Sequence, residues 1–146
     1  MLEFIRRVRD IFRLVRAFDH SGVGRNAEAL SILDTLESKW ARSYLAAVLL
    51  RGTLQTLLGQ HRESRACLLA AAQHIRKAKL SGEDERDYLT AYAYQYWQQS
   101  AEQLGIRTMA PQEKIAFHVE GPIDLSKVSS LLRKRFPLKS QHAERD

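Results

Sequence analysis

His118 and Glu120 stand two apart, as H-x-E, the spacing by which zinc deaminases set a metal-binding histidine beside a general acid–base. The P-C-x-x-C half of that constellation is absent, because the chain has one cysteine, Cys67. The histidines (His20, His61, His74, His118 and His142) include no i,i+4 pair that would bring two imidazoles to one face of a helix for zinc. Ser21 lies in "SGVG", which lacks the lysine of a phosphate loop, and no G-x-S-x-G, P-loop or G-x-G-x-x-G occurs. The residue types therefore predict a chain without catalytic residues, metal or cofactor, whose work is noncovalent contact.

Three groups of side chains are equipped for contact. The first is the aromatic cluster Tyr88, Tyr92, Tyr94, Tyr96 and Trp97. At helical spacing Tyr88, Tyr92 and Tyr96 share a face, while Tyr94 and Trp97 point elsewhere. Such a helix either sits between two neighbours or shows one face to a partner, and interfaces favour Tyr, Trp and Arg as anchors. The second is residues 2–18, "LEFIRRVRDIFRLVRAF". Phe4, Ile5, Val8, Ile11, Phe12, Val15 and Phe18 form one face of a helix, and Arg6, Arg9, Arg13 and Arg16 the other. The apolar face is expected against the next helix with the arginines in water; an anionic membrane surface is the rival reading. The third is the basic patch Arg133, Lys134, Arg135 and Lys139 beside Phe136, suited to phosphates or an acidic peptide, or simply a solvated helix end.

The net charge of +6 is uneven. Residues 125–139 carry five positive charges and no acid, while the middle is near neutral. A uniformly basic nucleic-acid binder would look different. The lone Cys67 rules out an internal disulfide framework, which makes a reducing, cytoplasmic setting the expectation. It lies in an apolar helical run with no basic or helix-start surroundings, and so reads as a packing residue. No stretch approaches the ~18 apolar residues of a spanning helix. Arginines interrupt the first segment too often for a secretory signal to be expected.

These groups need helices to position them. After the first helix, "HSGVGRN" is a break in which Asn26 is placed to cap a second helix over 27–37. Further helices are predicted over 39–58, 61–79 and 86–104, with an acidic loop at 81–87 and Gly105 as the final stop. Beyond it "TMAPQEK" reads as loop and residues 115–121 as a short extended segment or strand. Residues 124–136 read as an amphipathic helix ended by Pro137, and the last residues as a disordered end. The domain division is 1–107 for the helical part and 108–146 for the extension. The fold class is mainly α, with short breaks joining antiparallel helical hairpins.

A repeat runs through these hairpins. From Leu45, Val48 takes a large position and Gly52 a small one. Gly59 falls at the turn, Ser64 at the next small site, Leu68 at a large one and Ala71 at the last small one. Similar units start near Val8, with Phe18, Gly22 and Ala27 in matching places, and near Arg86, with Leu89, Tyr92, Ala93 and Tyr96. Over about residues 8–105 the chain resembles the tetratricopeptide (TPR) repeat, a 34-residue helical hairpin. The unit starts are unevenly spaced, and Arg51 stands where leucine is usual. The resemblance implies close helix crossings at Gly52 and Ala93. It also implies a groove lined by the first helix of each hairpin, offering Arg51, Gln55, Gln95 and Gln99 beside Tyr92 and Tyr96. The function it implies is protein binding, as an adaptor or as a dedicated chaperone or inhibitor of one client, acting alone or as a homodimer. An unrelated helical bundle is the competing fold. Nucleic acid or an anionic membrane surface, met through the basic first helix and the 133–139 patch, is the competing partner.

Overall fold

The computed structural model describes residues 2–78 and 83–117, and all regular structure in them is helical. The order is α1 (Leu2–Gly22), α2 (Asn26–Leu33), α3 (Lys39–Ser43), α4 (Leu45–Leu57), α5 (His61–Lys77), α6 (Glu83–Gln103) and α7 (Pro111–Ala116).

Three of these helices stop in the same way. Gly24, Gly59 and Gly105 have φ of 80°, 81° and 71°, a left-handed conformation that glycine adopts without a Cβ penalty. In each case the next N–H reaches back five residues: Arg25 to His20 O (2.8 Å), Gln60 to Gln55 O (2.8 Å) and Ile106 to Ala101 O (2.9 Å). This Schellman closure satisfies carbonyls that the helix end would otherwise leave unpaired. The stops predicted at Gly59 and Gly105 are found. The cap predicted at Asn26 is not, because the closure at Gly24 runs straight into α2, whose N-cap is Arg25 with no side-chain hydrogen bond.

The helix predicted over 39–58 is two helices. Ser38 opens α3 by accepting the Ala41 N–H at 3.1 Å. The Ser43 hydroxyl then donates back to Lys39 O at 2.8 Å, and Tyr44 is extended at φ −62°, ψ 123°. The Tyr44 ring stacks on Trp40, 5.1 Å between centroids. Local side-chain hydrogen bonding of this kind competes with helix continuation.

The segment read as loop and extended chain, 108–117, contains α7. Pro111 suits the first helical turn, where no N–H is needed, and Glu113 Oε1 accepts the Ala110 N–H at 2.9 Å. Ile115 and Ala116 are therefore helical. The expectations for 118–146, including the helix over 124–136 and the disordered end, lie outside the described residues.

Two apolar cores form. One gathers Leu14, Ala17, Ala29, Leu30, Leu33, Leu36, Ala41, Ala47 and Leu54 from α1 to α4. The other gathers Leu49, Leu68, Ala71, Ala72, Ala93, Tyr94, Trp97, Ala101, Met109, Ala116 and Phe117 from α4 to α7. Helix α4 contributes to both. It packs on α5, and α5 on α6; α4 also meets α6 and α2. At the α4–α5 crossing a Cβ on Gly52 would lie 2.6–2.7 Å from the side chain of Leu68, which is fully buried. The glycine thus permits an approach that any larger residue would obstruct, and a helix-interior glycine costs about 1 kcal/mol against alanine. Ala93 is likewise fully buried on α6.

Candidate interaction surface

The groove residues implied by the repeat fall on α4 and α6. Arg51 bonds through Nη1 to Asp34 Oδ1 and through Nη2 to Leu33 O (2.8 Å), so its guanidinium ties α4 to the end of α2. It borders a cavity of about 260 Å³ with Leu33, Asp34, Leu36, Arg42, Ala47 and Val48. Gln55 is buried. Tyr92 and Tyr96 are half-buried, ring centroids 5.1 Å apart, and pack on the second core. Gln95 and Gln99 are exposed. Of the six residues, Arg51 is engaged with α2 and Gln55 is buried, so only Gln95 and Gln99 of this set are exposed.

Two further α6 aromatics, Trp97 and Tyr94, are buried and pack on Phe117 at 5.3 and 5.5 Å between ring centroids. Trp97 Nε1 donates to Glu113 Oε2 at 3.0 Å. The same oxygen takes Arg65 Nη2 at 2.7 Å, and the Arg65 guanidinium lies 4.1 Å over the Trp97 ring. A second polar joint, unforeseen in the sequence, centres on Ser100. Its Oγ lies 2.6 Å from Ser64 Oγ, 3.0 Å from His61 Nδ1 and 3.2 Å from Thr56 Oγ1. Ser64 and Ser100 are fully buried, so the joint pins α4, α5 and α6 and offers no nucleophile to solvent. Cys67 Sγ lies 3.2 Å from Val48 O, and burial pushes its thiol up to about 11 against the opposing pull of Arg51. That makes it a poor nucleophile at neutral pH.

The surface that stands out is on α1, and it reverses the expected orientation. The apolar face does not cover α2. Phe4 and Phe12 are each 68% exposed, Val15 54% and Ile11 44%, with Ile5, Val8 and Phe18 also exposed. The helix is held by its other side, where Asp10, Leu14 and Ala17 are buried at i, i+4 and i+7.

Asp10 explains the reversal. Its Oδ2 accepts the N–H groups of Ser38 (2.7 Å) and Glu37 (3.0 Å), and its Oδ1 accepts Arg13 Nη1 (3.1 Å). Arg13 Nη1 also donates to Thr35 O at 2.7 Å. Burial alone would raise the Asp10 carboxyl. The hydrogen bonds from Ser38, Glu37 and Arg13 outweigh it and hold the group below its ordinary value of 3.8. A fully buried carboxylate satisfied by these donors fixes α1 against the α2–α3 connection, and Ala17 lets the helices close up. The signal was a lone acid among arginines, Asp10, with Leu14 and Ala17 behind it on one face.

The arginines bordering the apolar face are mostly engaged with their own chain. Arg7 lies 4.8 Å over the Trp40 ring. Arg9 and Arg13 pair with Glu37 at 3.7 and 3.5 Å. Arg16 borders an open cavity of about 360 Å³ with Asp19, His20, Val23 and Arg25.

No described helix is long and apolar enough to cross a membrane. Among the described residues no group of three or more His, Cys, Asp or Glu is placed to hold a metal ion. His118, Glu120 and the basic patch of Arg133, Lys134, Arg135 and Lys139 lie outside the described residues. Comparison of the chain with family models, with curated proteins and with solved structures finds no match.

Proposed function

We propose that this chain is a non-catalytic protein–protein interaction module, an adaptor or a dedicated chaperone or inhibitor of one client, whose principal docking element is the outer face of α1. The observation that carries this reading is the apolar stripe Phe4, Val8, Ile11, Val15 and Phe18, exposed along a helix whose other side is anchored by Asp10. Contiguous exposed apolar surface of this kind marks interaction sites in stable proteins. Its spacing of four and three residues is the pattern by which a helix lies in a groove or beside another helix.

In this reading α4, α5 and α6 are stacked TPR-like hairpins that act as the scaffold, supported by the glycine-mediated α4–α5 crossing and the α4–α6 contact. Gln95 and Gln99 supply a secondary polar line. Immobilised chain should retain a client protein from a lysate of its own cells. Ile11→Asp should abolish that retention with helical content unchanged, whereas Gln95→Ala with Gln99→Ala should only weaken it. Retention unaffected by Ile11→Asp would refute α1 as the docking element.

A second reading, attachment to an anionic membrane surface, draws on the arginines beside the stripe. Binding to phosphatidylserine vesicles that falls steeply with salt would favour it.

A further inference from the structure

The α1 stripe has the same residue types read from either end: Phe4, Val8, Ile11, Val15, Phe18. We propose that a second copy of this chain covers it, the two α1 helices lying antiparallel about a two-fold axis through Ile11. This rests on the reading of α1 as the docking element and names its partner.

A two-fold interface must be self-complementary, so that if residue i meets j, j meets i. In the antiparallel register Phe4 meets Phe18 of the partner subunit, Val8 meets Val15 of the partner subunit, and Ile11 meets its own counterpart. Each layer then pairs like-sized groups, and the alternating spacing of four and three keeps them in one seam. Antiparallel order also opposes the two helix dipoles.

The surface is large enough. At roughly 150–250 Å² per aromatic side chain, the three phenylalanines alone expose on the order of 300 Å² per copy. Two copies would bury about 400 Å² from Phe4 and Phe18, and covering the flanking Phe12 and Ile5 together with Val8, Ile11 and Val15 carries the total toward the roughly 1,000–1,200 Å² at which specific interfaces begin. The position fits as well. Among the described helices α1 is the end element, touching α2, α3 and α4, and a helical array needs its outermost face covered. Arg7, Arg9 and Arg13 each have a partner in their own chain, Trp40 or Glu37, which favours a protein over lipid. A helix lying on anionic lipid needs its cations at the headgroups.

Sedimentation equilibrium of the full chain, from low to high micromolar, should give a dimer. Ile11→Asp should weaken self-association by about thirtyfold or more, the loss expected for a central interface residue, with the circular dichroism unchanged. In a Cys67→Ala background, mixing Phe4→Cys chains with Phe18→Cys chains should yield a disulfide-linked pair on mild oxidation, and Phe4→Cys chains alone should not. Linkage of Phe4→Cys chains to one another would overturn the antiparallel arrangement. A monomer at every concentration would overturn the inference altogether. If that monomer still loses its client on Ile11→Asp, the docking reading survives and only the second copy is excluded. Flotation of the monomer with phosphatidylserine vesicles transfers the face to lipid and excludes the second copy too. If Ile11→Asp changes nothing, both readings fall.

Discussion

Helices α1 and α6 have the same length, 21 residues, and both carry large apolar groups at helical spacing, yet they place them oppositely. Helix α6 turns Tyr94 and Trp97 inward onto α5, Met109 and Phe117. Helix α1 turns Asp10 inward and leaves three phenylalanines in solvent. The difference lies in what each helix finds on the body. Helix α6 meets a surface of leucine and alanine that rewards apolar burial. Helix α1 meets the open N–H groups of Glu37 and Ser38, which need an acceptor, and a carboxylate serves them better than any apolar group. Polarity alone does not decide which side of a helix faces the core.

Substitutions on the two helices should separate these roles. The largest effect is expected at Trp97. Its replacement by alanine empties the second core and strips a donor from Glu113, with an expected loss of about 3–5 kcal/mol in urea unfolding. Asp10→Ala comes next. It leaves the Glu37 and Ser38 N–H groups and the Arg13 guanidinium without their acceptor, and should cost about 2–3 kcal/mol. The same carboxylate gives a pH signature. Its folded value lies below the unfolded one, so its contribution is complete above that ordinary value and fades as pH falls through the depressed value. Asp10→Asn should flatten this acid limb of the stability curve. A smaller loss, about 1 kcal/mol net, is expected for Gly52→Ala, where the clash with Leu68 outweighs the gain in helix propensity. Phe12→Ser should change the stability of the monomer by no more than about 0.5 kcal/mol, as for other exposed sites. A large loss there would mean that the outer face of α1 is part of a core after all.

Much of this fold is legible in the sequence. The glycine stops at Gly59 and Gly105 and the near approach at Gly52 each follow from a local cause, a positive φ or a missing Cβ. What was not legible depends on partners distant in the chain. Asp10 stands out among arginines in the sequence, but its role depends on the Ser38 N–H, 28 residues on. Ser64 and Ser100 read as small filler until α5 and α6 bring them within 2.6 Å. The break at Tyr44 falls within an otherwise helix-favouring run, and α7 was hidden because a proline and a short polar stretch resemble loop as readily as a helix start. The apolar face of α1 was expected against α2, whereas the helix buries Asp10, Leu14 and Ala17 and leaves that face exposed.

The three glycine closures carry a kinetic consequence. Residues 23–25 and 58–60 are all that separate α1 from α2 and α4 from α5, and among the described helices none touches another more than three places away in chain order. Almost no slack has to be gathered before neighbouring helices can collide, which is the condition for rapid assembly. A chain wired in this way can also come apart by degrees, shedding α1 while the Trp97 half remains closed.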